Sequence, residues 1–162
     1  MKRFLIGIAL AAIVAPGCAA AGRTPAVAPR PGSDVARIPE RVSLAGKTLT
    51  VEALVWRDFQ PITPPGGSPL MATVRIKAAD GTQVPASLRA EALWVVADGK
   101  TWTPPAIEEQ PRAQTAPDYG VMARNGPKWE PGTAVDVVVR LRDARGNRVL
   151  LRAPRSKVAR TD

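Results

Sequence analysis

Arginine is the residue type whose placement in this chain could do chemistry. Positions 140–160 hold Arg140, Arg142, Arg145, Arg148, Arg152, Arg155, Lys157 and Arg160 against one acid, Asp143. A guanidinium is permanently charged and carries a planar fork of donors that matches carboxylates and phosphates. The chemistry on offer is therefore recognition of an anion rather than bond breaking. Val139, Leu141, Val149 and Leu151 alternate with the arginines, the pattern of two half-buried strands. Between them, Asp143-Ala144-Arg145-Gly146-Asn147 suits a type I turn followed by a glycine bulge. That turn pairs Asp143 with Asn147 and sets Arg142 opposite Arg148, with Arg140 and Arg152 on the same outer face. Like charges directly opposed weaken a sheet. The expectation is that an anionic partner resolves the conflict through Arg140, Arg142, Arg148 and Arg152. The competing expectation is a solvated outer face, or charges that guard an edge strand.

Other chemistries lack their residues. There is no histidine, and Cys18 is the only cysteine. This excludes an internal disulfide, a Cys/His zinc site and histidine-based nucleophilic catalysis. Gly46-Lys47-Thr48 and Gly99-Lys100-Thr101 end like a phosphate loop, but Arg41 and Trp94 stand where its first glycine belongs. No serine is followed three residues later by lysine. Glu108 and Glu109 are adjacent, and neighbours in extended chain point to opposite faces, so this pair cannot converge across a cleft. We expect no catalytic residue, no metal and no cofactor. An enzyme built on an unrecognised carboxylate or lysine site is the alternative. The tryptophans are Trp56, Trp94, Trp102 and Trp129. Trp129 lies in a turn-rich stretch, Gly126 to Gly132, and is the candidate aromatic contact for a sugar or peptide; packing at the end of the fold is the competing reading.

The elements that must position these residues read as strands. Residues 48–56 alternate, with Leu49, Val51, Ala53 and Val55 on one side; residues 70–78 do the same with Ala72, Val74 and Ile76. Residues 88–97 are richer in apolar side chains and carry Trp94. Asp98-Gly99 signals a type I′ hairpin that sets Val95 beside Trp102. Residues 119–124, 135–142 and 148–152 complete the set. The 17 prolines and 13 glycines interrupt nearly every window long enough for a helix. About seven or eight short strands in some 110 residues describe an all-β antiparallel sandwich. The closing stretch, from Pro131-Gly132-Thr133 through the second hairpin, resembles the last two strands of immunoglobulin-like and fibronectin-like bacterial domains. That resemblance implies an immunoglobulin-like fold, with Trp94 at the mid-strand core position a tryptophan often takes in such sandwiches, and nothing about function.

The N-terminus carries the second resemblance. Lys2 and Arg3 precede an uncharged apolar run, residues 4–14, too short to span a bilayer. Ala15-Pro16-Gly17-Cys18 follows and resembles the lipobox of bacterial lipoproteins. The resemblance implies a signal peptide over residues 1–17 and lipidation of Cys18, with Ala19 after it consistent with an outer membrane destination facing the periplasm. Cleavage after Ala20 or Ala21, giving a secreted or soluble periplasmic protein, is the alternative. Residues 18–41 then form a Pro/Ala-rich linker, residues 42–154 the sandwich and residues 155–162 a basic tail. Without Lys2 and Arg3 the chain keeps 21 basic and 14 acidic residues, a charge of +7. The window 140–160 alone carries +7, so the excess is one patch rather than a general basicity. The expectation is a non-catalytic envelope lipoprotein, a binding or accessory module. Its partners would be the membrane through the anchor, and an anionic polymer or acidic protein through the patch, with no nucleic acid. A structural subunit of a larger envelope assembly is the alternative.

Overall fold

The computed structural model describes residues 34–108 and 117–162. Cys18, the signal segment, the linker up to residue 33 and Glu109 lie outside the described residues. Eleven strands follow one 3₁₀ turn, Val35–Arg37: β1 (Val42–Leu44), β2 (Lys47–Asp58), β3 (Leu70–Ala78), β4 (Arg89–Ala97), β5 (Lys100–Trp102), β6 (Ile107–Glu108), β7 (Asp118–Gly126), β8 (Ala134–Arg142), β9 (Arg148–Arg152), β10 (Ser156–Lys157) and β11 (Ala159–Thr161).

They form two sheets, making the all-β sandwich that the alternation predicts. The first runs β1-β2-β3-β7-β6, and the second runs β10-β8-β4-β5, with β9 also on β8. Leu49, Val51 and Val55 of β2, Val74 and Ile76 of β3, and Val121 of β7 face Leu93 and Val95 of β4 and Val137, Val139 and Leu141 of β8 in one core. Each such side chain contributes about 1.5–3 kcal/mol by leaving water. Tyr119 of β7 stitches the layers: its hydroxyl accepts the Ala90 N–H of β4 at 2.9 Å and donates to the Glu108 carboxylate.

Both expected hairpins form. Asp98 and Gly99 have φ of 46° and 73°, the positive values a type I′ turn requires, and Val95 pairs with Trp102. In the second, the Gly146 N–H reaches the Asp143 carbonyl at 3.1 Å, Gly146 has φ 85°, and Arg142 pairs with Arg148.

Three features differ from expectation. Trp94 is buried, but on the outer face of the second sheet rather than in the core; it packs with Val138 under Val35 of the 3₁₀ turn. Residues 34–41, expected to continue the linker, lie against that face, and the Pro39 carbonyl accepts the Arg152 N–H at 2.9 Å. Residues 155–162, expected as a tail, complete the sandwich. β10 continues along β8, Val158 is buried, and β11 crosses to the first sheet, where it pairs with β2 in parallel. The lone apolar Val158 between Lys157 and Arg160 is too short a signal to read as a strand.

Candidate functional site: the arginine face of the second sheet

Pairing across three strands lines up arginines on the outer face. Arg89 of β4 stands opposite Arg142 of β8, which stands opposite Arg148 of β9. Arg140 lies one step along the same face, with its guanidinium 5.6 Å from the centre of the Trp94 ring. Sequence reading found three of these four. Arg89 escapes it because the β4–β8 register is invisible until the sheet is assembled.

Part of the opposed charge is answered inside the chain. Glu91 of β4 sits among the arginines. Its carboxylate takes a forked contact from Arg148, 2.8 Å to Nε and 3.2 Å to Nη2, and lies 2.8 Å from Arg142 Nε and 3.3 Å from Arg140 Nε. A bulge puts it there. Ala90 pairs with Leu141 and Ala92 with Arg140, so Glu91 is an extra residue without a partner of its own on β8. Ala90 packs on the core, and Ala92 and Trp94 pack on the outer cluster. Strict alternation back from the inward Leu93 would have driven Glu91 into the core, where a carboxylate is costly. The bulge re-aims it. The signal was present in the sequence: a glutamate at a core-phase position of an apolar strand.

The Arg148 hydrogen bonds are the main reason the Glu91 carboxyl is held below its ordinary value. Desolvation opposes them, and the charges of Arg148, Arg140 and Arg142 add to them. The Glu91 side chain is 20% exposed and Arg140 22%, against 42% for Arg142 and 39% for Arg148. Glu91 and Arg140 are thus recessed, and the heads of Arg142 and Arg148 form the rim. Three guanidiniums share one carboxylate, while Arg89 donates to the Ala86 and Leu88 carbonyls; four arginines and one glutamate leave this half of the face a net charge of about +3, and a carboxylate offers only about four acceptor positions.

Arg152 shares the face but is not gathered with the others. Its guanidinium meets Glu40 at 2.6 Å and Asp136 at 3.4 Å, and its Nε donates to the Ile38 carbonyl at 3.3 Å. It fastens residues 38–40 to the sheet. Arg155 reaches Asp136 at 3.7 Å and Arg160 pairs with Asp162, so much of the C-terminal charge is compensated locally.

Trp129 is half-buried and packs against the main core. Its carbonyl accepts from Arg57 Nη1 at 3.3 Å. Arg57, which the sequence reading passed over, is 1% exposed. It also donates to the carbonyls of Ser68, at 2.9 Å, and Gly66, and lies over the Phe59 ring. It ties two loops together at one end of the sandwich.

A groove of about 660 Å³ lies at the opposite loops, lined by Ser43, Gly46, Ser87, Arg145 and Asn147. Asp143 borders it, with its oxygens held by the N–H groups of Arg145 and Asn147 and by the Asn147 side chain. Among the described residues no group of three or more carboxylate or cysteine side chains is placed to hold a metal. No helix among them is long and apolar enough to cross a membrane.

Compared by sequence, the chain matches no protein-family model and no curated protein. Among solved structures it is similar to the X-ray structure of Northeast Structural Genomics Consortium target SoR45. The two share 12% identity and a TM-score of 0.40, over 68% of this chain and 86% of that one. A likeness so distant carries no argument about what the protein does.

Proposed function

We propose that this is an exported lipoprotein, anchored through Cys18, whose immunoglobulin-like sandwich is a non-catalytic binding or accessory module in the cell envelope. The strand orders β2-β3-β7-β6 and β9-β8-β4-β5 support the immunoglobulin-like arrangement, since they follow the A-B-E-D and G-F-C sheets of that fold with one added edge strand. The observation that carries the binding role is the arginine rim: Arg140, Arg142 and Arg148 converge on the single carboxylate of Glu91, and Arg89 stands opposite Arg142 beside them. Glu91 removes enough repulsion for the sheet to fold and leaves an excess of positive charge for an anionic partner. The anchor is tested by fatty-acid labelling and membrane fractionation. Wild type is labelled and sediments with membranes, and Cys18→Ser is unlabelled and released. The rim is tested by replacing Arg142 and Arg148 with Thr, which should weaken salt-sensitive binding to anionic vesicles or acidic polymers; unchanged binding would remove the rim from the function.

A second reading, a subunit docked in an envelope assembly, is favoured by the outer face of the first sheet. Leu54, Thr73, Met122 and Ile107 lie side by side across four strands, and Leu54 and Ile107 are 56% and 57% exposed. Leu54→Lys would abolish such docking and leave anion binding intact.

A further inference from the structure

We infer that the anionic partner of the arginine rim is the phosphate-headgroup surface of the bilayer that holds the anchor, and that the second sheet lies face-down on it. The inference rests on the proposed anchor and binding face, and adds the partner and the orientation.

The chain's own attachment gives the first argument. Residues 34–40 are fastened to the outer face of the second sheet, with Val35 buried against Trp94 and Val138, and with Pro39, Ile38 and Glu40 each held by Arg152. The tether therefore leaves the domain from the face that carries the rim. Fifteen residues, 19–33, separate Cys18 from Asp34. Fully extended they span at most about 50 Å. A domain on so short a leash meets the membrane at high effective concentration. Fixing the exit point on one face favours presenting that face to the membrane.

Charge complementarity gives the second. The rim carries about +3, the heads of Arg142 and Arg148 stand further into solvent than Glu91, and Leu150 lies beside Arg140 in the pairing. Each basic residue close to an anionic leaflet strengthens binding by about 1 kcal/mol, near fivefold. The pull decays within about 8 Å at physiological salt, so it acts only on a face brought into contact. The first sheet gathers less positive charge outward: Lys77 pairs with Glu52 and Arg75 with Asp118, and Arg124 lies against the Met71 sulfur, around the row of Leu54, Thr73, Met122 and Ile107. That face offers headgroups less than the rim does.

The test uses the chain from residue 18 onward with Cys18→Ser, which keeps every described residue and removes anchoring from the measurement. Sedimentation is measured with phosphatidylcholine vesicles, with vesicles also containing phosphatidylglycerol, and with polyglutamate standing in for an acidic protein or polymer. We expect phosphatidylglycerol-dependent binding that salt abolishes. It should fall roughly thirtyfold in Arg142→Ser/Arg148→Ser, and stay within a few-fold of wild type in Arg142→Lys/Arg148→Lys, because a diffuse headgroup field reads charge rather than fork geometry. Should the serine variant fail to fold by circular dichroism, Glu91→Gln provides the complementary reading, a rise of about fivefold from one added positive charge. Arginine-dependent binding to polyglutamate without binding to phosphatidylglycerol vesicles would overturn the lipid inference and leave the binding face standing. Binding to neither would overturn both.

Discussion

Glu91 is the residue on which the arginine face depends. One carboxylate holds Arg140, Arg142 and Arg148 together, so its removal leaves three cations crowded on one face. Glu91→Gln should destabilise the domain by about 2 kcal/mol at neutral pH, less than a fully buried pair because the site is partly wet. The effect has a defined pH sign. The Glu91 carboxyl is held below its usual 4.5 in the folded chain, so its contribution is complete above that value and is lost as pH falls through the depressed one. Melts of wild type and Glu91→Gln should differ at pH 7 and converge in strong acid. For the same reason, trimming Arg142 or Arg148 should not stabilise the sheet by relieving repulsion, because each removes a partner of Glu91 as well. Arg57 is the other residue on which much depends. Arg57→Leu fills similar space but strands the carbonyls of Ser68, Gly66 and Trp129 without their donor. A loss of about 3 kcal/mol is expected, read by chemical denaturation, with a red shift of tryptophan emission as the Trp129 loop loosens.

At the element scale, what was legible in the sequence is what local chemistry dictates. Asp98-Gly99 and Asp143 to Asn147 each specify a turn geometry, and both hairpin registers followed, including Arg142 opposite Arg148. The alternation in β2 and β3 gave their inner faces. What was not legible depends on contacts distant in sequence. The bulge at Glu91 breaks the period of β4, and its reason, three arginines on β8 and β9, lies about fifty residues downstream. The immunoglobulin-like resemblance places Trp94 inside; here Val35 and Ile38 cover it on the outer face instead. β11 has only three residues, and its parallel partner β2 lies about a hundred residues away. Ending the chain after Pro154 tests this element. It removes buried Val158 and the β11 ladder, and should cost about 2–4 kcal/mol. A dispensable tail would leave the thermal midpoint unchanged.

At the scale of the whole molecule the two outer faces differ in kind. The second sheet combines the arginine rim with the docked residues 34–40, and the first sheet carries the Lys77–Glu52 and Arg75–Asp118 pairs and Arg124 around a largely apolar row. Contact through the arginine rim can be watched residue by residue, by nuclear magnetic resonance of the chain from residue 18 with Cys18→Ser, following backbone amide and arginine Nε–Hε signals as bicelles containing phosphatidylglycerol are added. Perturbations should be confined to residues 89–92, β8 and β9, strongest at Arg142 and Arg148, and erased by salt. Perturbations centred on Leu54, Met122 and Ile107, or spread evenly over both sheets, would rule the rim out as the contact surface.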